Sequence, residues 1–280
     1  MNETGAAAIL DVRAEAAFAA GHAAGAANIP LEQLAERTHE LPPKGAAVRV
    51  FDDDPDRQRR AAEALRLRGY AASEAPLSAA DLRETGPSHA RLWQPSPFLV
   101  EALGRIGSGS EAAAPPGRAL DVACGAGRDA VYLAGRGYEV DAIDVLPDAL
   151  ARACDLARRS GVRLNAIRQD LRRNPVLPQD RYDLVTVVRF LHRPLLPAIG
   201  RSVVPGGFLV YEAFHRRDSA AGRARLKTGR TVDDGDLAAA FSGYEPLIAR
   251  DGVERDGRVF SQLLARRSRP APPAPEKKPG

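Results

Sequence analysis

The chain has 280 residues, of which 44% are hydrophobic and 27% charged, with a formal net charge of +4. Two domains fit this length, each large enough to bury its own core, and no run of about 18 apolar residues occurs that could span a bilayer. Residues 1–90 carry 10 Lys+Arg against 14 Asp+Glu and residues 91–280 carry 30 against 22, but the arginines are scattered and only 5% of residues are aromatic, so no platform for nucleic acid is expected. No charged-then-apolar leader opens the chain, and Cys124 and Cys154 form neither a metal-ligand spacing nor a disulfide framework. The expectation is a cytoplasmic protein without a metal or membrane partner.

The first segment alternates strands and helices. A strand over residues 9–12 leads to a short helix around Phe18, and Gly21-His22 and Gly25 punctuate a loop reaching Asn28-Ile29-Pro30. A helix over 31–40, a strand over 47–51 and an amphipathic helix with Ala61, Ala62 and Leu65 inward follow, closed by Gly69-Tyr70. This pattern predicts a small parallel sheet flanked by helices. The residues LDVR at 10–13, Phe18, Gly21-His22, Gly25-Ala26 and Asn28-Ile29-Pro30 closely resemble the signature of the rhodanese-like domain. In active members of that family a cysteine begins a six-residue loop whose backbone N–H groups converge on a sulfur anion. Counting from Arg57 and Gly69-Tyr70 places that position on Asp52, and a carboxylate cannot carry a persulfide. Asp53, Asp54 and Asp56 add charge that would repel thiosulfate or phosphate. The resemblance therefore implies a domain over 1–85 that has lost its sulfurtransferase chemistry. It would serve as a structural or docking module with a solvated acidic loop, or its loop would recruit a cationic protein partner or gate a neighbouring site.

Residues 71–95 are poor in regular pattern, and 86–95 are expected to be the linker. Trp93, the only tryptophan, is expected to pack in a core rather than cover a pocket. Ser96-Pro97 reads as an N-cap with proline at the first helical position, opening a helix with Phe98, Leu99, Ala102, Leu103 and Ile106. Residues 107–116 are expected to form a flexible connection.

The stretch ALDVACGAGRDAVYLAGRGYEVDAID, residues 119–144, carries the most chemistry. An apolar run around Asp121 reaches the turn Cys124-Gly125-Ala126-Gly127, and helical spacing follows at Ala130, Leu133 and Ala134. Strand, glycine turn and helix in this order let the backbone approach a ligand and aim free N–H groups at it. Asp144 ends the next strand 19 residues after Gly125, where an acid can accept hydrogen bonds from ribose hydroxyls. Gly125, Gly127 and Ala130 also satisfy the relaxed dinucleotide pattern, so an NAD(P)-dependent oxidoreductase has to be weighed. Asp121 argues against it, and LDVACGAGRDAVYLA closely resembles the first motif of class I S-adenosylmethionine-dependent methyltransferases. That resemblance implies Asp144 as the ribose acid; Asp121, which could reach the turn or a cationic ligand, Gly125, Gly127, Arg128 and Val145 are the other cofactor candidates, and Arg189, after the fourth strand, would hold the cofactor carboxylate or an anionic substrate. Gln169-Asp170-Leu171 resembles the adenine site, with Asp170 taking the exocyclic amine and Leu171 facing the ring. YDLVTVVRF and VVPGGFLVYEAF complete the strand series.

The implied fold is α/β: a small rhodanese-like domain followed, over 96–268, by a Rossmann-like, seven-stranded methyltransferase sheet with one antiparallel strand. Arg128 and Asp129 open the first helix of that domain, and Arg189, His192, Glu212 and His215 follow the fourth and fifth strands. These four are the acceptor-pocket candidates, because open parallel sheets bind ligands at the C-terminal ends of their strands. Cys154 is expected to pack on the apolar face of a helix over 147–159. Residues 216–241 read as a polar loop and short helix walling the pocket, and 245–249 with 259–265 as the closing hairpin. The tail over 269–280, rich in proline, is expected to be disordered. GRDAVYLAGRGYEVDAID and YEAF further resemble the tellurite-resistance and thiopurine branch of the methyltransferases, which implies a small soft acceptor such as a thiol, selenium or tellurium species. A cofactor-binding sensor or scaffold without turnover is the reading from another class.

Overall fold

The computed structural model describes residues 7–88, 90–108, 116–217, 229–255 and 257–269, which form two compact units, Met1–Gln94 and Pro95–Gly280. In the first, strands β1 (Ala8–Asp11), β2 (Ala27–Asn28), β3 (Ala47–Phe51) and β4 (Ala71–Glu74) pair in parallel in the order β2-β1-β3-β4. Their alternation buries Leu10, Val12, Val48 and Val50 in one core with Ala61, Ala62 and Leu65, the inward stripe of helix α2 (Pro55–Leu67). Asp54 caps α2 by accepting from the N–H groups of Asp56 and Arg57, and Pro55 supplies the first helical position. Helix α1 (Glu15–Ala20) buries only Phe18, against which His22 stacks at 4.0 Å.

Two expectations are corrected here. Residues 31–40 form no continuous helix but two 3₁₀ turns, Leu31–Gln33 and Thr38–Glu40, with Leu34 and Leu41 buried. Residues 71–95 do not begin as a linker: 71–74 are the fourth strand, Glu84 bridges back to His22, and Leu92 packs in the same core as Leu10. Trp93 is buried, as its size demands.

The second unit opens with helix α3 (Pro97–Ser108). The expected cap is replaced: the buried Ser96 hydroxyl has no partner, and the Ser96 N–H donates instead to Asp129 at 2.6 Å. Strands β5 (Arg118–Val122), β6 (Glu139–Asp144), β7 (Asn165–Arg168), β8 (Tyr182–Val188), β9 (Val203–Phe214), β10 (Tyr244–Arg255) and β11 (Arg258–Arg267) form one sheet in the order β10-β11-β9-β8-β5-β6-β7. Only β11 runs against the rest, pairing antiparallel with both β9 and β10, and the closing hairpin is longer than the sequence suggests. The strand order reverses between β5 and β8, the point where such sheets leave a crevice for a ligand.

Helices α4 (Arg128–Ala134), α5 (Pro147–Arg159), α6 (Leu196–Ser202) and α7 (Asp236–Ala240) flank these strands in the chain. The core on one side joins Leu120, Val122, Val185 and Val187 to Ile199, Leu209 and Leu263. Cys154 is exposed, contrary to expectation; α5 buries Ala149, Leu150, Ala153, Leu156 and Ala157 instead. Gly127 shows how closely turn and helix fit, because a Cβ there would stand 2.5 Å from the Ala153 Cβ while φ is +77°. The centre of the expected flexible connection (109–115), most of the pocket-wall loop (218–228) and the tail from 270 lie outside the described residues.

Candidate active site

The chain leaves β5 through a turn in which alternate residues, Ala123 (φ 58°), Gly125 (φ 56°) and Gly127 (φ 77°), take left-handed conformations. Gly125 has open space where its side chain would be, so a ligand can approach the bare backbone. Its N–H donates to Asp144 Oδ2 at 2.9 Å, while Oδ1 accepts from Leu146 N–H at 2.9 Å. Asp144 is thus held rigidly at the end of β6, with a lone pair on each oxygen still available to hydroxyl donors.

Asp121 lies inside β5 and is buried with no partner for Oδ2. Burial, followed by the charge of Asp129, pushes its carboxyl well above the usual range, and Asp144 adds to the effect. Burial likewise raises Asp129. Cys124 is pushed far upward, first by burial and then by Asp121 and Asp144, so it remains a thiol at neutral pH and supplies no nucleophile. Asp121, buried with one carboxyl oxygen unpartnered beside an open glycine turn, suits a ligand that brings its own cation.

On the other side of Asp144, Val145 and Leu146 expose apolar side chains. The Gln169 N–H reaches the Asp144 carbonyl at 3.1 Å, which brings the loop of Asp170 and the buried Leu171 beside them. Asp170 Oδ1 accepts from the N–H groups of Arg172 and Arg173. An apolar wall, an acid for hydroxyls and a second acid therefore stand together at the ends of β6 and β7.

The acceptor-side candidates are arranged differently from expectation. Glu212 is fully buried: Oε1 accepts from Arg255 at 2.8 Å and Oε2 from Gln262 at 2.7 Å. It is a structural carboxylate rather than a free pocket group. Arg189, at φ 59° just after β8, lies 3.9 Å from Glu212 and 5.7 Å from the Phe260 ring centre. His192 is half-buried ahead of a 3₁₀ turn. His215 is buried rather than solvated; its Nδ1 accepts the Arg217 N–H at 3.1 Å, which assigns the ring proton to Nε2, 3.3 Å from Asp234. Ligand atoms of His215, Asp234 and Asp251 lie within 4.8 Å of one another. The Nε2 atom, though 3.3 Å from Asp234, makes no hydrogen bond with any described residue.

The sequence reading did not pick out Arg255 and Gln262. Their signal was the Ser261-Gln262 interruption of an otherwise apolar strand, since an inward polar residue there needs a buried partner.

In the first unit, α2 begins at Pro55, so the residues aligned with the six-residue loop do not form one. Asp52 is buried and accepts from Arg57 Nε at 3.1 Å and from the Asp54 N–H at 3.0 Å. Asp53 pairs with Arg13 at 3.2 Å, and Asp56 pairs with Arg59. Asp53, Asp54 and Asp56 stay exposed, as a solvated acidic loop requires, although Asp52 is buried; the arginines are shared with Asp11 and Glu32, so the loop keeps a negative excess, and its own carboxylates occupy the amides of residues 54, 56 and 57.

Comparison with known proteins places both units in families. Residues 119–207 match the family model of a methyltransferase domain, and residues 1–75 match that of a rhodanese-like domain. An uncharacterized protein of Schizosaccharomyces pombe, UNK4.09, is 25% identical over 92% of this chain and 93% of its own length. Ubiquinone biosynthesis O-methyltransferase of Cronobacter sakazakii is 31% identical over 35% of this chain and 43% of its own. Among solved structures, TehB from Haemophilus influenzae superposes with a TM-score of 0.50 at 19% identity, covering 60% of this chain and 62% of that one, a likeness of fold. The chain thus spans less than two thirds of the latter two relatives. Among the described residues no helix is long and apolar enough to cross a membrane.

Proposed function

The chain carries an S-adenosylmethionine-dependent methyltransferase domain behind a rhodanese-like domain, and from that premise we propose that it passes the methyl group to a small, soft nucleophile such as a thiol, selenium or tellurium species. The observation that carries the reading is the junction of Gly125 and Asp144, where an open glycine turn donates to the acid at the end of the next strand. Asp144 would take the ribose hydroxyls, Asp170 and Leu171 with Val145 the adenine, and Asp121 the cationic methionine end beside Gly125, Gly127 and Arg128. When bound, the cofactor supplies an electrophilic sulfonium methyl group, which a soft nucleophile takes by in-line displacement. The protein's task is to position donor and acceptor and to exclude water. No general base is needed for a thiolate, which agrees with Glu212 being tied to Arg255 and Gln262 and with His215 Nδ1 accepting from the Arg217 N–H. We place the reaction in the cytoplasm.

Titration of the purified protein with S-adenosylmethionine and with NADH, followed by mass detection of methylated thiols, selenite and tellurite, tests the reading. Micromolar binding of the sulfonium with transfer to at least one soft acceptor supports it. Preference for NADH would replace it with an oxidoreductase, and binding without transfer would favour a sensor.

Asp121→Asn separates stability from binding. A carboxyl raised in the folded state contributes stability below its ordinary value, about 4, and that contribution is lost as pH rises toward the raised value. Asparagine should flatten this slope and raise the neutral-pH melting temperature of the ligand-free protein. It should also weaken cofactor binding by roughly ten-fold, about 1.5 kcal/mol, through loss of the charged partner. Melting scans at pH 5 and 8 with calorimetry would show both; unchanged affinity would remove Asp121 from the site.

The rhodanese-like domain we read as non-catalytic, a docking or regulatory module. Asp52→Cys is expected to restore no thiosulfate sulfurtransferase activity above background. Asp54 would still hold the amides of residues 56 and 57, and α2 would still begin at Pro55. Cyanide-dependent thiocyanate formation measures it, and turnover by the single variant would show an intact anion cradle.

A further inference from the structure

Arg189 sits at the switch in strand order with a backbone conformation that side-chain-bearing residues rarely adopt. The left-handed φ turns the chain immediately after β8, while the Arg189 N–H is fixed to the Glu212 carbonyl at 2.8 Å. Its guanidinium nevertheless has little to bind. Glu212, the nearest carboxylate, is saturated by Arg255 and Gln262, and its Oε1 lies 3.9 Å from Arg189 Nε. Among the described residues no other ion pair of Arg189 occurs, although its side chain is about half covered, with 46% exposure. Phe260 stands beneath it and beneath Arg255, at 5.7 and 4.7 Å from the two guanidinium carbons. A planar cation packed against an aromatic ring, with its hydrogen-bonding edge uncommitted, is the arrangement that receives a carboxylate or oxyanion in two parallel bonds.

Burial lowers the Arg189 pKa; Glu212 opposes this, and the nearby Arg255 and Arg128 add to the lowering. The guanidinium is thus partly desolvated, and the one carboxylate within ion-pair range among the described residues is the saturated Glu212. The side on which the guanidinium lies is also informative. Asp144 ends β6, whereas the partners of Arg189 belong to β9 and β11, on the far side of β5 and β8 from the ribose acid.

We infer that Arg189 is a specificity residue of the acceptor site, and that the acceptor carries a carboxylate or oxyanion group which this guanidinium holds. The inference rests on the methyltransferase reading and narrows the class of soft nucleophile to anionic ones. The same chemistry is also present in the carboxylate of the cofactor, so the test has to separate the two.

Two thiols of similar size, 3-mercaptopropionate and 2-mercaptoethanol, differ in the anionic group. With S-adenosylmethionine present, kcat/KM is expected to favour the anionic thiol by about ten-fold or more, and Arg189→Gln to bring the ratio to about one. Arg189→Lys, which keeps the charge but not the fork, should fall between them and reports on folding. If Arg189→Gln loses cofactor affinity by the same factor as kcat/KM, the guanidinium serves the cofactor carboxylate and the inference is overturned. If the cofactor binds but neither thiol is methylated, the soft-acceptor reading fails for thiols, and the inference is judged by binding alone. In protein saturated with S-adenosylhomocysteine, 3-mercaptopropionate, selenite or tellurite should then bind saturably, and Arg189→Gln should weaken that binding about thirty-fold. Absence of any binding, or equal binding by the variant, would overturn the inference.

Discussion

Asp144→Ala is expected to lower affinity for S-adenosylmethionine on the order of a hundred-fold, equivalent to about 3 kcal/mol. Two losses combine. The ribose hydroxyls lose a charged acceptor, and hydrogen bonds to a charged group contribute about 1.5–3 kcal/mol each. The Gly125 and Leu146 N–H groups lose the carboxylate that fixes the glycine turn to the end of β6. Asp144→Asn preserves the shape and one acceptor oxygen but turns an amide donor toward one of these N–H groups, so it should lie between wild type and alanine. Isothermal titration of the three proteins gives the ranking directly. Equal affinity of Asp144→Ala and wild type would place the ribose elsewhere and withdraw the central assignment.

Glu212→Ala is expected to cost about 3–5 kcal/mol of stability, the usual result of removing one partner from a buried ion pair. The side chain is fully buried between Arg255 and Gln262, and Gln262 also accepts from Arg250, which pairs with Glu101. Alanine leaves the Arg255 guanidinium without its carboxylate and opens a polar cavity. Against a typical total of about 5–15 kcal/mol, that is enough to unfold a marginal domain. Glu212→Gln keeps the volume and one good acceptor and should lose only about 1–2 kcal/mol. Urea unfolding followed by circular dichroism measures the difference. Tryptophan fluorescence would not serve, because Trp93 belongs to the first unit. A loss under about 1 kcal/mol for the alanine variant would mean that Arg255 finds water instead, contrary to the buried network described.

The legible parts of the sequence were those whose chemistry is local. A glycine turn needs particular backbone angles, and an acid at a strand end needs only the strand before it, so the region 119–144 could be read in place. The alternation of strands and helices likewise gave the parallel sheet of each unit. Strand 71–74 was not legible because AASE buries only Ala72 and lies at the edge of its sheet, so no apolar alternation marks it. The two 3₁₀ turns escaped because Leu31 and Leu34, three apart, fit a helix face and a tighter turn equally. Cys154 follows Leu150 by four positions, which suggested a shared face, but Ala153 and Ala157 set the buried stripe and leave it outside. The pairing of Glu212 depends on residues 43 and 50 positions later, brought alongside only when β11 reverses beside β9. No local pattern encodes such a partner.

The alternating left-handed residues at 123, 125 and 127 have a consequence for how affinity and folding are linked. Residues held in so narrow a set of backbone angles have already given up their conformational entropy when the domain folds. The turn therefore needs little further ordering when a ligand arrives, and less of the contact energy gained at the bare backbone of Gly125 is spent on ordering it. Loosening the turn at a distance, for instance where Gly127 packs on Ala153, would then weaken the complex without altering any atom that touches the ligand.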